Sequence, residues 1–373
     1  MIWPSVIGQE RAKKHLLELV SRNRLAHAYL FEGDEGVGKD ALALQLARVI
    51  HCDQGKSEPC GTCPSCLKSE KLQHPDIHLV FALPVGTHEV RGDGPMEKLT
   101  QEDVNSVREQ LRIKAADPYH VMTIPRANVI KLSSIRELRR ESSLSLAGTK
   151  RRVVVISRAD EMNEESSNAL LKTLEEPSTE TTFILTTAHP DRLLPTIRSR
   201  CHVLRLDLLS SEEIKRALER SAPVSGENAE LVAHLALGSY TRALGLLTED
   251  IAAERRRVVE FVRLVLGGSF VKLMERIDEL SASKDRDLIV RFLNLITVWF
   301  RDVLVLREGC TILNIDQRAD LESFLAKFPD VDVPPILDEV NRTVSLVERN
   351  GYIPLALVRL SIRLKRMILA ANK

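Results

Sequence analysis

Aromatic residues are scarce: nine phenylalanines, four tyrosines and two tryptophans make up 4% of the 373 residues. A surface on which successive bases stack needs such rings, so a stand-alone single-strand binder is disfavoured. Charge of one sign is also lacking. Lys and Arg number 53 and Asp and Glu 52, a formal net charge of +1. That argues against a strongly basic, self-sufficient DNA-binding domain, though not against a local basic groove. No uninterrupted apolar run reaches the ~20 residues of a membrane span. The opening MIWPSVIGQERAKK lacks the charged-then-apolar order of a signal peptide. A cytoplasmic protein with reduced thiols is expected. Repeats and low-complexity tracts are missing too. What remains is ordinary for globular proteins, 44% hydrophobic and 28% charged, and at ~150 residues per domain it suggests two or three domains.

Four of the six cysteines, Cys52, Cys60, Cys63 and Cys66, lie in one stretch with the spacing C-x7-C-x2-C-x2-C. Two residues between cysteines let both thiolates turn onto one tetrahedral Zn²⁺. Free thiols and a redox CxxC are the competing readings. Four cysteines this close in a cytoplasmic chain favour zinc, and with no accompanying catalytic carboxylate the site reads as structural. His51 and His74 are possible substitute ligands. Cys201 and Cys310 stand alone and are expected to be buried thiols.

Upstream, His27 to Phe31 reads as a strand, followed by Gly33-Asp34-Glu35-Gly36-Val37-Gly38-Lys39-Asp40 and a helix from about Ala41 to Ile50. Strand, glycine loop and helix form the context of a P-loop, in which backbone N–H groups and the helix dipole converge on phosphate. Gly33, Gly36, Gly38 and Lys39 are the candidate ATP or ADP contacts. The next position should carry a Ser or Thr hydroxyl for Mg²⁺. Here it is Asp40, whose carboxylate repels a triphosphate unless a metal bridges them. Weak nucleotide binding and a P-loop kept as an architectural turn both remain open; for hydrolysis the second reading is preferred.

Further along, Asp76 to Leu83 and the β-branched run Arg152 to Ile156 read as sheet strands. Between them, Thr100-Gln101-Glu102-Asp103 is a capping box opening a helix with Val104, Val107 and Leu111 on one face. Asn168 to Glu176 has helical spacing and stops at Pro177, Phe183 to Thr187 is a short buried strand, and Pro190 and Pro195 punctuate the loop after it.

The stretch from Leu170 to Cys201, LLKTLEEPSTETTFILTTAHPDRLLPTIRSRC, closely resembles the signature of the bacterial replicative clamp-loader ATPases of the AAA+ superfamily. The resemblance implies an α/β P-loop domain at 1–207, with a zinc module at about 52–66 and an insertion at about 84–126. A small helical lid at 208–248 and an all-α collar at 249–373 complete the expected fold. It implies that Arg200 acts as an arginine finger in trans, reaching a neighbouring subunit's ATP. Relative to that family, 84–126 is extra and reads as a surface elaboration of a loop.

A working AAA+ ATPase ends the Arg152–Ile156 strand in Asp-Glu, one carboxylate for Mg²⁺ and one to polarise water. This chain has Ser157-Arg158, and Asp160-Glu161 come three residues too late. The family's sensor-1 position falls at Thr186-Thr187, where turn capping is an equally good reading. Its sensor-2 arginine is replaced by Thr241, with Arg242 one place late and about 100° around the helix. Such departures resemble the non-hydrolysing δ′ type within the γ/δ′ family, whose γ and δ′ members carry a similar four-cysteine module. The implied partners are γ/τ and δ subunits in a hetero-oligomer, with the sliding clamp and primed DNA reached through the assembled polymerase III complex. The competing functions are an ATP-hydrolysing γ/τ-type subunit and a stand-alone DNA-binding zinc protein.

The last third carries no chemical motif and reads as five or six amphipathic helices. Leu288, Phe292, Leu295 and Trp299 form one stripe, Val340, Val344 and Val347 a second, and Leu357, Leu360 and Leu364 a third. Arg255-Arg256-Arg257 is expected to be a solvated face.

Overall fold

The computed structural model describes all residues except 1–2, 4, 56, 87–88, 91, 143–150, 177–179, 222–225, 248–250, 268, 283–284, 311 and 371–373. Pro177, the expected helix stop, lies outside the described residues. The chain groups into two compact units, residues 1–217 with 237–242, and residues 218–236 with 243–373.

The first unit is built on five strands: β1 (Ala28–Glu32), β2 (Ile77–Val80), β3 (Arg152–Ile156), β4 (Thr181–Thr187) and β5 (His202–Arg205). They are ordered β2-β3-β4-β1-β5, and every pairing is parallel. The three central strands are buried along their whole length. This is why VVVI and FIL read as unbroken apolar runs: helices cover both faces of a parallel sheet. Around the sheet lie α1 (Glu10–Ser21), α2 (Lys39–His51), α3 (Pro64–Glu70), α4 (Gln101–Ala116), α5 (Leu132–Ser142), α6 (Glu164–Glu175), α7 (Pro195–Arg198) and the start of α8 (Ser211–Ser221).

Two expectations change in detail. The strand anticipated from Asp76 to Leu83 is only β2, because β3 ends where Ile156 faces Val80. Leu83 then leaves the sheet and forms a small satellite core with Val107 of α4 and Ile124, with Phe81 packed against it. The insertion therefore has its own apolar anchor in this unit, and it is not purely a surface elaboration. The edge strand β5 had no sequence signal: it is four residues long and mostly exposed, so it carries no burial pattern to read.

The second unit is helical, with α9 (Gly226–Leu235), most of α10 (Tyr240–Leu247), α11 (Ile251–Gly267), α12 (Phe270–Ala282), α13 (Arg286–Arg307), α14 (Arg318–Lys327), α15 (Val333–Glu348) and α16 (Ile353–Ala370). Its axis is α13, which packs against α11, α14 and α15. Phe292, Leu295 and Trp299 are buried, and so are Ile289, Leu293, Ile296 and Phe300 on adjoining faces. The other two stripes are largely core: Val340, Val347, Leu357, Leu360 and Leu364 are buried and Val344 is half-buried. Arg255 corrects the solvated-face reading. It is buried and bonded to Asn314 Oδ1 at 2.8 Å and to Asp316; only Arg256 and Arg257 face solvent. Cys310 is exposed, not buried.

Candidate functional site

The P-loop leaves the carboxyl end of β1, beside β4, the place where open α/β sheets gather ligands. It packs onto protein. Gly36 (φ 78°) and Gly38 (φ 97°) adopt left-handed backbone conformations suited to glycine. A Cβ on Gly36 would strike the Ser239 hydroxyl, and one on Gly38 would lie 2.6 Å from Tyr119 Oη. The Lys39 ammonium folds back on its own loop, donating to the carbonyls of Gly33 (2.8 Å) and Asp34 (2.7 Å). Burial lowers its pKa below the ordinary lysine value, against the pull of Asp40 and neighbouring carboxylates.

Asp40 is the centre of the site. Its Oδ2 accepts from Lys114 Nζ at 2.9 Å and from Ser157 Oγ at 2.6 Å, and its Oδ1 accepts from Thr186 Oγ1 at 2.7 Å. Burial alone would raise its pKa. The Lys114 charge and the three hydrogen bonds outweigh that and hold it down at about 2. The position that should ligate Mg²⁺ is thus bonded to the residue at the strand-end carboxylate position, Ser157, and to Thr186 at the sensor-1 position. Thr186 is more than a turn cap, for it also accepts the Arg158 N–H at 3.1 Å. Thr187 does the capping, donating to Asp160 (2.6 Å) and accepting from the His189 N–H (2.9 Å).

Sequence reasoning did not find Lys114 or Tyr119. Lys114 sits on the buried side of α4 and also donates to the His120 carbonyl at 2.7 Å. Tyr119 is buried; its Oη accepts the Ile7 N–H at 2.8 Å and its ring stacks edge-on against Tyr240. Thr241 donates to the Tyr119 carbonyl at 3.2 Å. The cavity beside the P-loop is about 360 Å³. Its charged lining is Lys39, Lys114 and Arg158 against Glu35, Asp40, Asp160 and Glu161. Arg158 pairs with Glu161 at 3.0 Å. Burial raises the Glu161 pKa, and the Arg158 charge opposes it. Neither Arg242 nor Arg200 lines the cavity.

The two arginines of the IRSR stretch separate cleanly. Arg198 pairs at 3.2 Å with the buried Glu32 at the end of β1, as does Arg205 at 3.1 Å. Arg198 therefore ties α7 to the sheet. Arg200 is partly exposed, donates to the Thr196 carbonyl at 3.0 Å and pairs with Glu175 at 2.9 Å.

The four cysteines converge. All four sulfurs lie within 4.8 Å of one another, and Cys60 and Cys66 Sγ are 3.9 Å apart. Metal–sulfur bonds of about 2.3 Å in a tetrahedron give sulfur–sulfur edges of about 3.8 Å, so the set fits zinc. Backbone N–H groups already point at the sulfurs: Cys60 N at Cys52, Cys63 N at Cys60 and Cys66 N at Cys63, at 3.3–3.4 Å. Donors from Thr62 and Cys63 hold the Cys60 thiol below its ordinary pKa, while burial and crowding by neighbouring thiols raise that of Cys66. His51 and His74 do not join them. They form a separate buried cluster with Asp76.

A five-stranded parallel sheet in this order, with a glycine loop after its first strand, a lid segment folded onto that loop and a zinc-competent cysteine module, defines an AAA+-type P-loop protein. Residues 8–210 match the family model described as "DNA polymerase III, delta subunit". The chain is 31% identical over 306 residues to the DNA polymerase III subunit delta' of Bacillus subtilis, covering 81% of this chain and 78% of that protein. It is 30% identical over 254 residues to subunit tau of Escherichia coli, covering 66% of this chain and 33% of that one. A gamma/tau subunit of Mycobacterium tuberculosis is 28% identical over 286 residues, 74% and 42% of the two chains. The chain belongs to this DNA polymerase III subunit family and is a clamp-loader subunit. Among the described residues no helix is long and apolar enough to cross a membrane.

Proposed function

We propose that the chain is a δ′-type, non-hydrolysing subunit of a cytoplasmic polymerase III clamp loader. In this reading 1–207 is the AAA+ domain, 208–248 the lid and 249–373 the collar that holds it among γ/τ and δ subunits in the hetero-oligomer. One structural Zn²⁺ sits on Cys52, Cys60, Cys63 and Cys66. The assembled complex opens the sliding clamp on primed DNA.

The observation that carries the reading is the hydrogen-bonded set Asp40, Ser157 and Thr186 with Lys114. Hydrolysis needs a hydroxyl for Mg²⁺, a carboxylate for the metal and a second one to polarise water. Here the first two positions hold Asp40 and Ser157, bonded to one another, and the third holds Arg158, paired with Glu161. The cavity's four carboxylates also oppose a polyanion. The γ/τ-type alternative draws on Asp160 and Glu161, which line the same cavity. Both are engaged, Asp160 by Thr187 and Glu161 by Arg158. ATP turnover by the purified chain is expected at background; turnover above it favours the alternative.

Arg200 serves the complex in trans. Arginine's planar fork suits charge on a transferring phosphoryl group. Its pairing with Glu175 is half-exposed, and such pairs contribute about 0–1 kcal/mol, too little to hold it against a phosphate. Fingers given in trans are worth about 10³-fold or more in some NTPases. Arg200→Ala should fold, keep zinc and enter a reconstituted complex, yet slow ATP turnover and clamp loading at the one site facing this subunit. Unchanged rates would refute the finger.

A further inference from the structure

In a working site the last P-loop position and the strand-end carboxylate ligate one divalent cation, and the glycines keep the backbone clear for phosphate. In this chain the only positive charge bonded to Asp40 among the described residues is the ammonium of Lys114, which α4 supplies. The phenol of Tyr119, in the turn after α4, lies 2.6 Å from where a Gly38 Cβ would be and accepts the Ile7 N–H. The other two cations of the cavity are engaged as well, Lys39 by the carbonyls of Gly33 and Asp34 and Arg158 by Glu161.

We propose that residues 101–124 act as an intramolecular ligand of the nucleotide site, with Lys114 in the place of the divalent cation and Tyr119 seated against the P-loop. The subunit therefore keeps the closed form of its P-loop and lid segment without nucleotide or Mg²⁺. Three geometric facts support this. Lys114 is buried, as a surface lysine has no reason to be. The segment is anchored from behind by Val107 and Ile124 packed on Leu83. Tyr119 joins three parts of the site through contacts to Ile7, Gly38 and Tyr240. The inference rests on the non-hydrolysing reading and adds that the site is also closed to binding.

The test is Mg·ADP and Mg·ATP titration of the full-length chain, read by calorimetry and thermal shift. The wild type should show neither heat nor a shift at about 1 mM nucleotide, a concentration that detects even weak sites. The pair Asp40→Thr with Lys114→Ala restores the P-loop hydroxyl and removes the built-in cation; it should bind Mg·ADP at least tenfold more tightly. A folded double variant that binds no better overturns the inference. So does a native chain that binds either nucleotide. If the double variant does not fold, hydrogen exchange on the wild type decides. Slow exchange of the 101–116 amides, the same with and without Mg·ADP, supports the inference, and exchange that nucleotide alters overturns it. Binding without turnover would sink the insertion's role and leave the proposed function standing, whereas turnover by the isolated chain would sink the function itself.

Discussion

The P-loop site and the cysteine module both gather anionic groups where a divalent cation could sit, and they differ in what surrounds those groups. Around Asp40 the chain supplies an ammonium and two hydroxyls, each at 2.6–2.9 Å. Around the cysteine sulfurs it supplies weak donors, backbone N–H groups at 3.3–3.4 Å and the Thr62 hydroxyl at 3.6 Å from Cys60. Four thiolates cannot share so small a volume without a compensating charge. A carboxylate bonded to an ammonium and two hydroxyls has its charge compensated from within, whereas four converging sulfurs form a set that could hold a metal ion.

The comparison breaks most visibly if the cation is withheld from the module. Cys63→Ser should abolish zinc binding in metal analysis and loosen 52–70, without touching a catalytic step. Structural zinc contributes about 10 kcal/mol in isolated fingers, and even a fraction of that should lower the melting temperature by roughly 10 °C. Protein purified under reducing conditions with no zinc would show that the module manages without it.

The next effect is at the built-in cation. Lys114→Met removes the ammonium and leaves a buried carboxylate with two hydroxyl donors, a loss of about 3 kcal/mol. Asp40→Asn in the same chain should restore part of it, because the charge that lost its partner is gone. Acidity probes the same pair. Asp40 has a folded pKa of about 2 against an ordinary 3.8. Its contribution is therefore present above about pH 4 and lost as pH falls through about 2, amounting to about 2 kcal/mol. Acid denaturation of Lys114→Met should show less of this dependence. An unchanged acid profile would place the pair outside the stability of the unit.

The smallest effect is expected at Lys39. Among the described residues its ammonium bonds two loop carbonyls, so Lys39→Ala should cost under about 1 kcal/mol and leave clamp loading by the assembled complex within about twofold. A severe loading defect would mean that the loop binds phosphate after all and would favour the γ/τ-type reading.

Much of this was legible in the residues. The central strands read correctly because each is a continuous apolar run between punctuating turns, and a parallel sheet buries both faces. The helix at 101 read correctly because its cap is local: Thr100 Oγ1 accepts the Asp103 N–H at 3.2 Å. The cysteine module also read correctly, since its spacing confines the sulfurs to a few turns of chain. What failed was non-local. Leu83 and Val107 pack on one another across the insertion, and Arg255 is buried by partners at 314 and 316. Neither leaves a periodic trace.

By itself the sequence determined the class of the fold, the zinc-competent module and the Ser157-Arg158 pair at the end of β3, because each is written in residue type at short range. Only the tertiary structure decided what Asp40 bonds to and which arginine is tied to the sheet. Asp40 meets Lys114 from 74 positions away and Thr186 from 146. Arg198 meets Glu32 from 166 away, which leaves Arg200 outside the sheet's ion pairs. Such contacts depend on how strands are ordered and how an insertion packs back, and a charge carries no mark in the sequence of the partner that folding will bring to it.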